Sequence, residues 1–226
     1  MAKLIEFEGI DGSGKTTAYK YVAAQLEAKG LRVLTTREVG SPHIPVCTKL
    51  REVILDPNTK MDGKAMEFVF AAMRVENTIF YQKVDNDYDI ILNDRGWFSH
   101  LAYTDHNVDQ YFTSLLYLQN LIEFTRLPDE VVFLDIDPEL AAGRRVSRGE
   151  QEDAIEIKGN EFQKRVYDSF LKYLGIWADL APRLTPGEPP HVTIHSIDAS
   201  QDLKGVQQQL DQVVDRIVNE RLSKAK

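Results

Sequence analysis

The stretch Leu4-Ile5-Glu6-Phe7 leads, through Glu8, into Gly9-Ile10-Asp11-Gly12-Ser13-Gly14-Lys15-Thr16. An apolar-alternating run feeds a GxxxxGK[ST] loop, and a helix-like segment follows. That strand–loop–helix context is what a phosphate loop requires. The glycines let the backbone curl so that successive N–H groups converge on phosphate oxygens. A helix starting near Lys15 adds the positive end of its dipole. Lys15 reaches the β- and γ-phosphates in such loops, and the Thr16 hydroxyl ligates Mg²⁺.

Outward from this loop, apolar runs alternate with helical spacing. Strands are predicted at Lys3–Glu8, Leu31–Thr35, Asp89–Asn93, Glu130–Ile136 and His191–Ile197. Helices are predicted at Lys15–Lys29, Val46–Leu55, Lys64–Val84, Val108–Thr125, Pro138–Ser147, Asn160–Leu180 and Asp202–Glu220. Gly40–Pro45 and Pro182–Pro190 read as loops. Strands separated by helices predict an α/β fold: a P-loop three-layer sandwich, with a five-stranded parallel sheet flanked by helices on both faces. One domain is expected over residues 1–226, with a mobile lid insertion at 147–159, a charged stretch bracketed by Gly149 and Gly159.

Composition narrows the function. The 226 residues are 43% hydrophobic, enough for one sizeable core. No apolar run is long enough to span a membrane, and no signal-peptide core follows Lys3, so a cytoplasmic enzyme is expected. The formal net charge of -8 argues against a nucleic-acid polymer as partner. A small nucleotide remains compatible, because local cations can reverse the field within a cleft. The single cysteine, Cys47, excludes an intramolecular disulfide and reads as a packing residue.

Asn93-Asp94-Arg95 closes the third strand at the ligand edge of such sheets. Asp94 there suits Mg²⁺, directly or through water, with an N-cap as the plainer alternative. Arg95 follows with a planar fork suited to phosphate. Arg37 ends the second strand, Arg51 lies on the next helix, and Arg74 on the one after. Phe70 precedes Arg74 by four residues and shares its face, so ring and guanidinium could stack on a base and bond its edge. Spacing alone favours Phe70 as core filling. Arg144, Arg145 and Arg148 cluster where the helix after the fourth strand runs into the charged insertion. They read either as a surface salt-bridge face or as cations brought to the transferring phosphoryl group.

The ordered motifs EGIDGSGKTT at 8–17, TRE at 36–38, LRE at 50–52, FAAMR at 70–74, DRGWFSHLAY at 94–103, FLDIDPELAAGRR at 133–145, SRGEQEDAIE at 147–156 and IDAS at 197–200 resemble the thymidylate kinase family over nearly the whole chain. The resemblance implies transfer of the ATP γ-phosphoryl group to dTMP, giving dTDP and ADP. It implies that Phe70 stacks on thymine and Arg74 bonds its edge. Arg95 and Arg37 would hold the acceptor phosphate, with Arg51 nearby and Ser99 in the same motif. Asp11 would meet the sugar 3′-hydroxyl, and Tyr103 would lie beneath the sugar. Gly12, Ser13, Gly14, Lys15, Thr16 and Thr17 would hold ATP, with Mg²⁺ at Thr16 and Asp94. The loop interior carries no arginine, so this looks like a lid-type member, with Arg148 as the catalytic arginine and Arg144 next. A homodimer involving Lys64–Val84 is also implied. Three positions depart from the family pattern: Val39 replaces a proline, Gly96 an aromatic and Ala154 a lid arginine. Gly96 predicts an acceptor pocket widened enough for a modified deoxyuridine monophosphate.

Two other readings remain open at the level of residues. A deoxynucleoside kinase needs a base for the 5′-hydroxyl, for which Glu8 or Glu38 are candidates. A nucleotide-dependent switch usually carries an NKxD motif, which this sequence lacks.

Overall fold

β1 (Lys3–Glu8) runs between β3 (Ile90–Asp94) and β4 (Glu130–Asp135), while β2 (Val33–Arg37) and β5 (Thr193–Asp198) close the two edges. All four pairings are parallel, in the order β2-β3-β1-β4-β5, as the alternation of strands and helices predicts. The structure is a computed structural model that describes residues 1–107, 114–148, 156–184 and 192–224. Among these residues eight helices accompany the sheet: α1 (Lys15–Ala28), α2 (Pro45–Leu55), α3 (Gly63–Val84), α4 (Trp97–Asn107), α5 (Leu115–Glu123), α6 (Pro138–Arg148), α7 (Gly159–Leu184) and α8 (Leu203–Lys224). A short 3-10 turn, Glu156–Lys158, precedes α7.

Successive strand residues point to opposite faces, and both faces are covered. Leu4, Leu34 and Ile91 cluster with Phe80 and Tyr81 of α3. Ile5, Ile90 and Leu92 fall in a separate cluster with Val22 and Leu26 of α1. Burial on both sides explains why Ile90-Ile91-Leu92 reads as a continuous apolar run. Local caps set several helix starts. Asp62 accepts from the Lys64 amide ahead of α3, Asp137 accepts from Glu139 and Leu140 ahead of α6, and Pro45 opens α2.

The structure departs from the sequence reading in places. β2 lies two residues later than expected, and its last residue is Arg37. α4, over Trp97–Asn107, was not anticipated as a helix. α7 runs to Leu184 and carries Pro182 inside its final turn. Trp177 and Ala181 are both buried in the core, and that packing holds the helix past the proline. Of the helix expected at Val108–Thr125, residues 108–113 lie outside the described residues, as do 149–155 of the expected lid and 185–191 of the expected loop and strand start.

β1 and β3 end side by side, with Phe7 paired to Asp94. Their carboxyl ends deliver the phosphate loop and Asp94-Arg95 to one edge, where ligands bind in open α/β sheets.

Candidate active site

The loop after β1 is shaped by close contact with α6. Gly12 has φ +89°, and a Cβ there would overlap the Ala141 carbonyl. Gly14, at φ +92°, precedes α1, and no side chain caps that helix. The first amides of α1 are therefore left for an anionic ligand. Ser13 is buried, and its Oγ has no partner among the described residues. Lys15 is 7% exposed, and its Nζ donates to the Ile10 carbonyl at 2.8 Å. Burial, aided by the Arg95 cation, brings its ammonium down to about 8, against the pull of Asp11, Asp94 and Glu8. Thr16 Oγ1 donates to Asp94 Oδ2 at 3.2 Å. Thr16 and Thr17 are both exposed at the open side of the loop.

A cavity opens beside the loop, and Asp11 belongs to both. Arg51, Phe70, Arg74, Arg95, Ser99 and Tyr103 also line it, drawn from α2, α3, the end of β3 and α4. Phe70 is half-buried on the cavity wall, packed against the small cluster around Met73. Arg37 does not line the cavity: it is exposed, and its Nε donates to the Gly40 carbonyl at 3.0 Å. Arg51 Nη1 donates to the Val39 carbonyl at 2.7 Å, next to a cis peptide between Glu38 and Val39.

Arg95 adopts a left-handed backbone, φ 73°, which costs a non-glycine residue roughly 1–2 kcal/mol. The surroundings enforce it. Its amide donates to the Phe7 carbonyl, Nη1 donates to Gly9 O and Ser99 Oγ, and Nη2 pairs with Asp11 Oδ1. The guanidinium also lies over the Tyr103 ring, 5.2 Å from its centroid. Asp11 Oδ2 accepts from Tyr103 Oη at 3.1 Å and Gln163 Nε2 at 2.9 Å. Burial would raise the Asp11 carboxyl, but Arg95, Lys15 and these donors outweigh it and hold it at about 2.

The profile of the thymidylate kinase family matches residues 7–178 of this chain. The chain belongs to the thymidylate kinase family. It is similar to the thymidylate kinase of Lactobacillus acidophilus, at 35% identity over 181 residues, covering 77% of this chain and 82% of the relative. The thymidylate kinase of Lactobacillus helveticus is 33% identical over 202 residues, covering 87% and 93% respectively. That of Finegoldia magna is 33% identical over 219 residues, covering 94% and 97%.

As a member of the thymidylate kinase family the chain is expected to use Mg²⁺, and the donors fit that ion. A hydroxyl and one carboxylate meet at Thr16 and Asp94, hard oxygen ligands of the kind Mg²⁺ takes alongside water and phosphate. Among the described residues no group of three or more His, Cys, Asp or Glu side chains is placed to hold a metal by itself.

Two expectations are corrected by this geometry. Gly96 does not widen the acceptor pocket, because a Cβ there would overlap the Glu6 carboxyl, which already occupies the space. Both candidate bases for a sugar hydroxyl are already engaged, although Glu38 lines the cavity. Glu8 is fully buried and both its oxygens are engaged by Ser99. Glu38 pairs with Arg74 Nη2 at 2.7 Å and accepts from Asn77.

Of the arginines clustered at 144, 145 and 148 in the sequence, Arg145 is the one that meets the loop, a role the sequence reading did not single out, and Gln163 was passed over altogether. Arg145 Nη1 donates to the Asp11 carbonyl at 2.6 Å, and Nη2 reaches Asn160 Oδ1 at 2.5 Å. It lies four residues after Ala141, the residue that abuts Gly12, and that spacing was the available signal. Its neighbour Arg144 is exposed, and Arg148 ends α6 with a side chain outside the described residues. Gln163 left no signal in the sequence, because α7 brings it to Asp11 from 152 residues away.

Proposed function

We propose that this chain transfers the γ-phosphoryl group of ATP to dTMP, giving dTDP and ADP. The observation that carries the reading is the shared position of Asp11, which sits inside the phosphate loop and also lines a cavity walled by Phe70, Arg74, Arg95 and Tyr103. A phosphate tail held on the amides of the loop would then lie next to an acceptor nucleotide. Phe70 would stack on the base, Arg74 would bond its edge, and Tyr103 would lie under the sugar. Arg95 would take the acceptor phosphate, with Arg51 beside it. Arg37, turned toward Gly40, would have to swing in to join them.

An acceptor phosphate oxygen attacks the γ-phosphorus in line as the bond to the β-bridging oxygen breaks, and the pair of electrons leaves with ADP. The acceptor is already anionic, so the site needs alignment and cations rather than a base. Lys15, with a main-chain carbonyl as its partner, can follow the charge as it moves onto the leaving β-phosphate. Mg²⁺ bound at Thr16 and Asp94 would neutralise the β- and γ-oxygens. The Arg145 bond to Asp11 O holds the loop in place. We also assign the catalytic lid arginine to Arg148 within a lid at 147–159, with Arg144 second, in one domain over 1–226. Two copies would pair through α3, whose Phe68 and Ile79 are exposed at 57% and 39%. No helix among the described residues is long and apolar enough to cross a membrane.

Incubation of the purified protein with Mg²⁺-ATP and separately with dTMP or thymidine tests this. Chromatography should show dTDP formed from dTMP and no phosphorylation of thymidine. Thymidine consumed while dTMP is left intact would overturn the reading.

A further inference from the structure

Glu6 is a buried acid that none of the roles above uses. It lies on β1, 2% exposed, with Glu8 two residues on and pointing to the same face of the sheet. A strand buried on both sides is ordinarily built from branched apolar residues, and a carboxyl taken out of water is costly unless its surroundings compensate. Burial, with Glu8 and Glu38 close by, pushes the Glu6 carboxyl well above its usual range, against the Arg74 cation and the Trp97 amide. The group is driven toward its neutral form.

The contacts of Glu6 give this acid a purpose. Its Oε2 accepts from the Trp97 amide at 2.9 Å, and its carboxyl occupies the room that a Cβ on Gly96 would take. Gly96 and Trp97 lead into α4, and both of them grip Arg74. Arg74 Nη2 donates to the Gly96 carbonyl at 2.8 Å, and the guanidinium lies over the Trp97 ring, 4.7 Å from its centroid. The Gly96 carbonyl also accepts from the His100 amide at 3.0 Å, which ties its direction to the first turn of α4. Trp97 is fully buried, and its Nε1 donates to the Arg126 carbonyl at 3.2 Å. Among the described residues the other partner of the Arg74 guanidinium is Glu38, at 2.7 Å.

Resting on the reading of Arg74 as a contact of the acceptor nucleotide, we infer that Glu6 is a positioning residue of the acceptor site: it pins the Gly96-Trp97 turn, and the turn holds the Arg74 guanidinium at the cavity wall. A long side chain acts as a specific contact only when its head group is held to within about 0.5 Å. Glu38 restrains one edge of the guanidinium, and the turn supplies the platform beneath it. Loss of Glu6 therefore loosens Arg74 without freeing it. Glu8 accepts from the Ser99 amide at 2.9 Å, so α4 stays docked on β1 when Glu6 is changed. Nothing in this chain of contacts passes through the phosphate loop, and the effect should fall on the acceptor alone.

Steady-state kinetics with Mg²⁺-ATP and dTMP test this. Glu6→Val removes the carboxyl but keeps a residue suited to a buried strand. It should raise KM for dTMP at least about tenfold and leave kcat and KM for ATP within about threefold. Glu6→Gln resembles the neutral acid and keeps an acceptor for the Trp97 amide. Its KM for dTMP should lie within about twofold of the wild type. On an Arg74→Met background the guanidinium is already gone, and Glu6→Val should then move KM for dTMP by less than about twofold. An unchanged KM in Glu6→Val defeats the inference, as does an equal rise with and without Arg74. A joint loss of kcat and of both substrates' affinities would show a general structural role and defeat it too. If Glu6→Val does not fold, Glu6→Asp decides. It keeps an acid but withdraws it by one methylene, so KM for dTMP should rise at least about threefold, and only where Arg74 is present. Failure of the wild-type protein to phosphorylate dTMP defeats the proposed function, whereas normal turnover with an acceptor KM indifferent to Glu6 defeats this inference alone.

Discussion

Lys15 shows at the scale of one residue how burial tunes a charge. The ammonium is held near the loop carbonyls and away from water, so it gives up its proton more readily than a surface lysine. With its value brought down to about 8, the group is cationic below that pH and neutral above it. kcat/KM for ATP should therefore be level near pH 7 and fall as pH rises through about 8. The break in kcat should lie at higher pH, because bound phosphates stabilise the ammonium. A profile flat to pH 9 would show that this charge is not needed for productive ATP binding. Lys15→Met should lower kcat roughly a thousandfold, about 4 kcal/mol of transition-state stabilisation, in a protein that still folds. Individual residues of the site were legible to different degrees. Lys15 and Thr16 stood out because their chemistry is written in a contiguous motif. Phe70 was ambiguous, with spacing alone favouring core filling, and it both packs against a core cluster and lines the cavity. His100 read as a surface or packing residue and Glu67 gave no signal, because a buried acid and an imidazole matter only once two helices bring them together on the cavity wall.

α4 carries the same lesson at the scale of an element. It holds Ser99, His100 and Tyr103, yet its start has no local N-cap residue. The caps come from β1: Glu6 accepts from the Trp97 amide at 2.9 Å, and Glu8 accepts from the Ser99 amide at 2.9 Å. Two carboxylates 91 residues upstream satisfy donors that a Ser or Asp would usually satisfy from next door. No window of sequence contains that relation, which is why Trp97–Asn107 escaped notice while α3 and α6, with Asp62 and Asp137 at their starts, did not. The arrangement also explains Gly96, since the Glu6 carboxyl needs the room that any side chain would take. Gly96→Ala should cost about 1–3 kcal/mol in denaturant unfolding through this overlap. On a Glu6→Ala background the same change should cost at least about 1 kcal/mol less, because the obstructing group is gone. Equal costs on both backgrounds would show that the strain lies elsewhere.

The layered order of the whole molecule was readable because fully buried parallel strands leave continuous apolar runs, and helices leave a different period between them. What the sequence could not reveal was how the two ligand clefts are joined. Asp11 accepts from Arg95, Tyr103 and Gln163, and so ties the loop after β1 to β3, α4 and α7 through one carboxylate. If Arg95 takes the acceptor phosphate as proposed, that phosphate would compete with Asp11 for the guanidinium. Whatever Asp11 then releases is felt in the loop that grips the other nucleotide. Each substrate should accordingly report the presence of its neighbour. Calorimetric titration of dTMP should give a dissociation constant that shifts by about threefold or more when ADP is already bound, and the ADP constant should shift by the same factor. Asp11→Asn should flatten both shifts together, whereas identical constants in every combination would mean the clefts fill independently. One carboxylate would then act as the hinge pin of the enzyme's timing, keeping the donor's grip unsettled until a recipient has arrived.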